Sequence, residues 1–344
     1  MLTSLLASRQ EPFGRSVHVR TLGWRLSPSA AMATPTRKER RFLPRPEGWG
    51  LRATATMMRI AIGLPATIPG ARGDLMLEWA RKADAGPFSS LGILDRLVYT
   101  NYEPLIALAG VAAVTTRVRL MTTVLLAPLR SAALLAKQAA TIDAISNGRL
   151  TLGLGVGGRE DDFQAAGVDF HQRGKIFDAQ LETMGRVWSG ERLSEEIGAI
   201  GPKPTQSGGP EILIGGYTPA AIQRLARWGA GYMSGGGAPE QAKMSYAAAL
   251  NVWTQAGRSG KPRFVGASYF GLGENAAERG AAYLRDYYGF LGPYAERVAG
   301  GFPSTVEAVR GTIKAFEEAG ADEVVLWPTI AELDQVDRLA ELVG

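Results

Sequence analysis

Short apolar runs alternate with longer amphipathic runs along the chain from Met58 onwards. The short runs are rich in β-branched residues, as strands are, and the longer runs repeat apolar residues at helical spacing. The predicted strands are residues 58–64, 90–94, 118–125, 150–154, 211–214, 230–233, 263–270 and 323–327. Eight strands in alternation with helices predict a closed parallel sheet, so we expect an α/β chain folded as one (β/α)8 TIM barrel.

One helix has recognisable ends. Residues 131–146 begin at Ser131 and stop at Asn147-Gly148, a sequence typical of a left-handed helix end. The side chains expected to face the sheet are Leu135, Ala139, Ile142 and Ile145, which recur at helical spacing.

A long connection separates the seventh and eighth predicted strands. Residues 274–300 hold more aromatic side chains than a barrel helix needs, namely Tyr283, Tyr287, Tyr288, Phe290 and Tyr294. We therefore interpret this segment as an excursion that lies over the active face of the barrel.

The net charge of +5 is unevenly distributed along the chain. Residues 1–56 carry ten Lys and Arg against three Asp and Glu, whereas residues 57–344 carry 28 against 30. The first segment is broken by prolines and has no periodic apolar face, so we predict a disordered basic extension before a barrel domain at 57–344. Met57-Met58 directly before the first strand is typical of an over-extended translation start, which would place the extension outside the native protein.

The extension shares features with two kinds of targeting signal. Its low content of acidic residues is also typical of an organelle transit peptide. A twin-arginine export signal at Arg40-Arg41 is disfavoured, because prolines and charges follow where an apolar stretch is required.

Composition excludes several classes of protein. The chain has no cysteine, hence no disulfide, no thiolate metal site and no thiol nucleophile, as is common in cytosolic proteins. No apolar run reaches the roughly 18 residues that a membrane-spanning helix needs. Because the basic charge lies outside the predicted barrel, it indicates no nucleic-acid partner for that domain. We expect a cytoplasmic protein without a membrane or nucleic-acid partner.

In such a barrel, the loops after the carboxyl ends of the strands carry the chemistry. Here they are residues 65–67, 95–96, 122–123, 155–161, 215–218, 234–237, 269 and 327–328. Glycines concentrate in the fourth to sixth of these loops, where a ligand can approach the backbone closely. The rim therefore predicts a ligand site that includes Pro65, Gly155, Gly215 and Gly216.

The loop after the fifth strand has the pattern of an anion site. Thr218 suits a helix N-cap and Pro219 the first helical position, which leaves the amides of Ala220 and Ala221 pointing outward. Free amides at a helix start attract phosphate. The alternative is a structural cap without a ligand, since such joins are common in α/β proteins.

Other motifs point more weakly to other chemistry. Residues 153–158 match G-x-G-x-x-G, but acidic residues follow and the strand is the fourth, which disfavours a dinucleotide-binding fold. The contiguous acids 160–162 could hold a metal ion, although contiguous side chains diverge, and we predict no metal site. His171 is the only histidine of the predicted barrel, so a multi-histidine metal site or a hydrolase triad is hard to build.

The run from Leu125 to Gly155, which includes Asp143 and Ser146-Asn147-Gly148-Arg149, resembles the luciferase-like flavin-dependent oxidoreductases of the bacterial luciferase-like monooxygenase superfamily. The similarity continues through 167–173, 187–190 and 212–216. It implies a (β/α)8 barrel, a reduced flavin at the carboxyl face, dimerisation through barrel helices, and oxygen insertion or hydride transfer.

The resemblance also assigns expected roles to single residues. Tyr217-Thr218 and Arg173 correspond to positions that contact the flavin phosphate. Thr122-Thr123 corresponds to a strand end where the family often has a non-proline cis peptide. Many members have Asp-His after the second strand, whereas this chain has Asp95-Arg96. The fixed cation could stabilise reduced flavin, hold an anionic substrate, or be structural. Together with His171, Asp95 and Arg96 are the candidate catalytic residues.

Three functions follow from the resemblance. The first is a two-component monooxygenase that receives reduced FMN from a separate flavin reductase and uses O2 on a small organic substrate. The second is hydride transfer with the deazaflavin coenzyme, although residues 157–161 lack the glycine-glutamate-alanine-leucine-asparagine pattern of one deazaflavin branch. The third is a non-catalytic flavin-binding partner subunit.

Overall fold

Eight parallel strands form a closed barrel in sequence order, with β8 paired to β1. The structure is a computed structural model that describes residues 57–344. The strands are β1 (Arg59–Gly63), β2 (Ser90–Ile93), β3 (Arg119–Leu126), β4 (Leu150–Gly155), β5 (Glu211–Gly215), β6 (Gly231–Met233), β7 (Arg263–Phe270) and β8 (Glu323–Pro328). The predicted barrel is confirmed, whereas the predicted extension 1–56 lies outside the described residues.

Helices surround the barrel and follow the strands. They are α1 (Gly73–Ala85), α2 (Pro104–Val114), α3 (Ala132–Ile145), α4 (Glu160–Ala166), α5 (Arg173–Trp188), α6 (Pro219–Trp228), α7 (Pro239–Gln255), α8 (Ala276–Tyr287), α9 (Tyr294–Gly300), α10 (Val306–Glu318) and α11 (Asp334–Val343). No helix of the described part is long and apolar enough to cross a bilayer.

The barrel interior is layered, because side chains two residues apart on a strand point to the same side. The apolar middle layer includes Ala61, Met121, Leu213, Met233, Val265 and Val325. Space is tight there: a Cβ atom at Gly153 would lie 2.1 Å from the carbonyl oxygen of Thr122. The layer separates a charged floor at the amino ends of the strands from an aromatic mouth at their carboxyl ends.

The floor is a buried ion network. Arg263 lies between Glu211 and Glu323 and pairs with both. The Ser90 hydroxyl donates to Glu323 over 2.6 Å, and the Thr151 hydroxyl donates to Glu211 over 3.0 Å. Because both carboxylates have additional donors, the buried charges are compensated from several strands.

The ends of α3 differ in part from the prediction. Asn147 and Gly148 adopt positive φ angles of 54° and 80°, so the predicted left-handed end is confirmed. Ser131 is the N-cap, but its side chain makes no capping hydrogen bond. The prediction for Ile145 was wrong, because this residue of the last helical turn is exposed to solvent.

Candidate functional site

Val124 occupies the gap between the ends of β4 and β5. A Cβ atom at Gly155 would lie 2.9 Å from Val124 Cγ2, and one at Gly215 would lie 2.8 Å from Val124 Cγ1. The peptide bond between Thr123 and Val124 is cis, one bond beyond the predicted Thr122-Thr123 pair. Both glycines lie on the rim as predicted, and they make room for a half-buried valine that the sequence did not single out.

The two predicted threonines have different surroundings. The Thr122 hydroxyl donates to the carbonyl of Gly153 over 2.7 Å, within the sheet. The Thr123 hydroxyl faces the mouth, where it accepts from the Trp327 indole N–H over 3.1 Å. Trp327 in turn packs against Gly236, where a Cβ atom would lie 2.8 Å from Trp327 Cζ3. Thr123 and Trp327 therefore form part of the base of the mouth.

The start of α6 is exposed at the rim. The Thr218 side chain caps the helix by accepting from the amide of Ala221 over 3.3 Å. This bond corrects the expectation that the Ala221 amide is free, whereas Ala220 is exposed and its amide has no hydrogen-bond partner among residues 57–344. Gly216 has a φ of 128°, which turns the chain from β5 into this helix start. The loop is completed by Tyr217, whose hydroxyl accepts from the Gly235 amide over 2.9 Å.

Arg173 begins α5 next to α6. Its guanidinium stacks on the Phe170 ring at 3.8 Å and donates to the Phe170 carbonyl over 2.7 Å. Arg224 of α6 donates to the carbonyl of Gly174 over 3.0 Å and pairs with Asp178, so the amino-terminal part of α5 is held against α6. The structure thus brings a cation onto the same side of the barrel as the exposed helix start, which is an arrangement that suits a phosphate.

Asp95 is held in a structural position. Its carboxylate pairs with Arg130 over 2.7 Å and accepts from the amide of Leu126 over 2.8 Å. Arg130 also pairs with Glu103 at the start of α2. Asp95 therefore fastens the end of β2 to the turn after β3, and its oxygens are occupied.

Arg96 points in another direction from its neighbour and is 8% exposed. Its guanidinium donates to the carbonyl of Tyr287 over 3.0 Å and to that of Val98 over 2.8 Å. It also lies over the rings of Tyr99 at 4.6 Å and Tyr287 at 5.1 Å. Arg96 is thus the cation that links the loop after β2 to the segment above the mouth.

Residues 274–300, which we call the tyrosine segment, lie over the mouth as predicted. The turn after β1, in which Ile68 donates to the carbonyl of buried Pro65, presents Thr67 to the Tyr283 hydroxyl at 2.6 Å. The hydroxyls of Tyr269 and Tyr288 share a hydrogen bond of 2.9 Å. The tyrosine segment is therefore hydrogen-bonded to residues at or just after several strand ends.

Burial changes the ionisation of these phenols. It raises the pKa of Tyr288 to about 12 and that of Tyr269 well above the ordinary value. Both phenols therefore stay protonated to a higher pH than an exposed tyrosine and remain able to donate hydrogen bonds.

Two predicted features lie outside this cluster. His171 is exposed, with its ring against Phe170 at 5.7 Å and its amide bound to Asp169. The acids 160–162 do not converge: Asp161 pairs with Arg159, and the buried Asp162 accepts from the amides of Leu97 at 3.0 Å and Val98 at 2.6 Å. No group of three or more potential metal ligands occurs among the described residues.

Sequence reasoning missed residues whose partners are distant in the chain. Asp162 supports the loop after β2 from more than 60 residues away. In the sequence it is one of three contiguous acids, a pattern typical of a solvated loop. Val124 carried no signal, since it is one apolar residue of a strand. The flanking Gly155 and Gly215 were the available sign that something fills the gap between their strands.

Comparison with known proteins gives a consistent result. A family model described as luciferase-like monooxygenase matches residues 57–343. An uncharacterized protein of Mycobacterium tuberculosis is 32% identical, over 52% of this chain and 72% of that protein. The match with the family model covers the whole described barrel.

Solved structures with the same fold include two enzymes. One is an F420-dependent secondary alcohol dehydrogenase in complex with an F420-acetone adduct, with a TM-score of 0.67 and 17% identity over 83% of this chain and 98% of that chain. The other is the oxygenating constituent of 3,6-diketocamphane monooxygenase from Pseudomonas putida in complex with FMN, with a TM-score of 0.61 and 19% identity over 79% and 91%. At these identities the similarity concerns the fold.

Proposed function

The chain belongs to the luciferase-like monooxygenase family, and from that membership we propose that it is a flavin-dependent oxidoreductase using reduced FMN and O2 on a small organic substrate. A separate flavin reductase would deliver the reduced FMN. The observation that carries the proposal is the exposed start of α6, where the Ala220 amide has no partner in the described part of the chain and the guanidinium of Arg173 lies on the same side of the barrel. A doubly charged phosphate is the ligand that such a site suits best.

The residues present fit the flavin along the rim. Thr218, Ala220 and Arg173 would hold the phosphate, and Val124, half-buried between two glycines, offers an apolar surface for a flat ring. When bound, the reduced flavin supplies the electrons and, as FMN, the reaction with O2. The protein positions the reactants and excludes water, for which the buried phenols of the tyrosine segment are suited.

The cofactor test compares FMN with the deazaflavin coenzyme, each oxidised and reduced. We expect the chain to bind reduced FMN and, with a flavin reductase present, to consume O2 in a substrate-dependent manner. Absorbance titration and an oxygen electrode measure the two quantities. Binding of the deazaflavin alone, with no O2 consumption, would instead support hydride transfer, the function suggested by the F420-dependent structural neighbour. Flavin binding without turnover would indicate a non-catalytic partner subunit.

We also propose a homodimer formed through α2 and α3. The eleven residues of α2 include no charged side chain, and Ile106 near its start is 68% exposed. Leu134 near the start of the adjacent α3 is 54% exposed. Apolar side chains this exposed on two neighbouring helices are typical of an interface with another copy.

The dimer prediction can be tested by sedimentation. The combined change Ile106→Glu and Leu134→Glu should convert the dimer to a monomer, because it would bury charges in an apolar interface. Met244→Glu on α7 is the matched control, since Met244 is also 68% exposed but lies on another helix. A wild-type chain that sediments as a monomer at micromolar concentration contradicts the proposal.

A further inference from the structure

Arg96 is a buried cation to which no carboxylate of residues 57–344 is paired. The acidic side chains around it have other partners. Asp95 is bound by Arg130, Asp161 by Arg159, and Asp162 by two amides of the loop after β2. Asp286 accepts from the Tyr99 hydroxyl. A buried guanidinium normally has an anionic partner, so this one lacks the group that would best compensate it.

One nitrogen of the same guanidinium has no hydrogen-bond partner within residues 57–344. Nη1 donates to the Tyr287 carbonyl and Nη2 to the Val98 carbonyl, whereas Nε is buried and has no such partner in the described part of the chain. Nε and the neighbouring terminal nitrogen form the edge that binds a carboxylate through two parallel hydrogen bonds. A carboxylate bound at this edge would satisfy both the unpaired charge and the unused nitrogen.

The loop that carries Arg96 is fixed, whereas one of its carbonyl partners comes from elsewhere. Asn101 donates to the Arg96 carbonyl over 3.1 Å, and Asp162 holds the next two amides. The Tyr287 carbonyl belongs to the tyrosine segment, more than 180 residues later in the chain. This carbonyl accepts from Nη1, which lies on the side of the guanidinium away from Nε, so an anion at the Nε edge does not compete with it.

The surroundings of Arg96 indicate the rest of the ligand. The rings of Tyr99 and Tyr287 meet edge to face at 5.2 Å, and Tyr283 lies 5.8 Å from Tyr287. Phe290 completes the wall at 5.8 Å from the guanidinium. Such a wall favours a flat apolar body. A single guanidinium edge suits a planar carboxylate better than a tetrahedral phosphate, which needs more donors.

From the unpaired charge, the unused donor and the ring wall, we infer that Arg96 determines substrate specificity and that the substrate is a planar aromatic carboxylate. The statement that the bound acid is a substrate rests on the proposed function, but the binding of the acid can be measured without flavin. Arg96 touches the carboxylate, and the tyrosine rings contact the aromatic body.

Isothermal titration of the full chain tests the inference with matched pairs of probes: benzoate, salicylate and 2-naphthoate, each against its primary amide. We expect at least one acid to bind ten-fold or more tightly than its amide. Arg96→Gln should abolish this preference, and Arg96→Lys should retain part of it. Arg279→Gln is the control, because Arg279 belongs to the same segment but forms an exposed pair with Glu332; it should leave the preference unchanged.

The inference is overturned if the wild-type chain binds the acid and the amide equally in all three pairs of probes. This comparison needs no variant. So does a preference that survives Arg96→Gln. If Arg96 only fastens the tyrosine segment, its replacement lowers the melting temperature and no charge preference exists to be lost. FMN titration of the same samples separates the two proposals: FMN binding without acid preference refutes only the role of Arg96, and acid preference without FMN binding refutes only the flavin function.

Discussion

Replacing Arg263 with methionine should lower the free energy of unfolding by about 3–5 kcal/mol, since it leaves two buried carboxylates without their shared cation. Arg263 bridges Glu211 and Glu323 at the floor of the barrel, and both acids are almost fully buried. Urea denaturation followed by circular dichroism measures the change. Methionine keeps most of the volume of the side chain, so the loss reflects charge rather than a cavity.

Two comparisons make this result specific. Arg279→Met removes an exposed ion pair with Glu332 and should cost no more than about 1 kcal/mol. Adding Glu211→Leu and Glu323→Leu to Arg263→Met should recover part of the loss, because the two buried carboxylates are then gone as well. A loss for Arg263→Met as small as that of the surface variant would mean that the floor network contributes little to stability.

The same network predicts a dependence on pH. Burial alone would raise the pKa of Glu323, but Arg263, Arg59 and two serine hydroxyls outweigh it and hold the pKa below the ordinary value of 4.5. A group with a lowered folded-state pKa stabilises the fold above its unfolded-state pKa, and that stabilisation disappears as pH falls through the folded-state value. The wild-type chain should therefore lose stability below about pH 4.5 in part through this residue, and Glu323→Gln should show a smaller decrease over that range.

The largest effect on ligand binding is expected at the start of α6. Thr218→Val and Arg173→Ala should each weaken FMN binding roughly ten- to a hundred-fold, the equivalent of one hydrogen bond to a charged group. Fluorescence quenching of FMN measures the affinity. Riboflavin, which has no phosphate, should bind the wild-type chain and both variants equally.

Thr305→Val provides a matched control for the cap. Thr305 caps α10 as Thr218 caps α6, by accepting from the amide of Ala308 over 3.2 Å. Both substitutions should cost about 1 kcal/mol of stability, and only Thr218→Val should affect FMN. Unchanged FMN affinity in Thr218→Val and Arg173→Ala would place the phosphate elsewhere.

The sequence predicts the barrel well because each strand carries its own evidence. Even β6, with three residues, lies where the chain pattern placed it, and β7 has the predicted bounds. Apolar content and spacing are local properties, so one strand can be recognised without knowledge of the others. The rim residues follow directly, since every strand of a parallel barrel presents its carboxyl end to the same face.

The site itself is less accessible to such reasoning, because its contacts join distant parts of the chain. Asp95 and Arg96 are adjacent in sequence, yet one binds Arg130 after β3 and the other binds Tyr287 in the tyrosine segment. No local pattern indicates which partner each will have. The helix cap at Thr218 could be predicted from the sequence of α6 alone. The capping bond to the Ala221 amide leaves one fewer amide for a ligand.

The layered interior affects the route by which ligands would reach the mouth of the barrel. The charged floor and the apolar middle layer both lie across the barrel axis, below the aromatic mouth. Under the proposed function, cofactor and substrate would both enter at the carboxyl face, beneath the tyrosine segment. In that case the ligand that binds first would determine which ligand can bind next, and the product would have to leave before the next substrate binds.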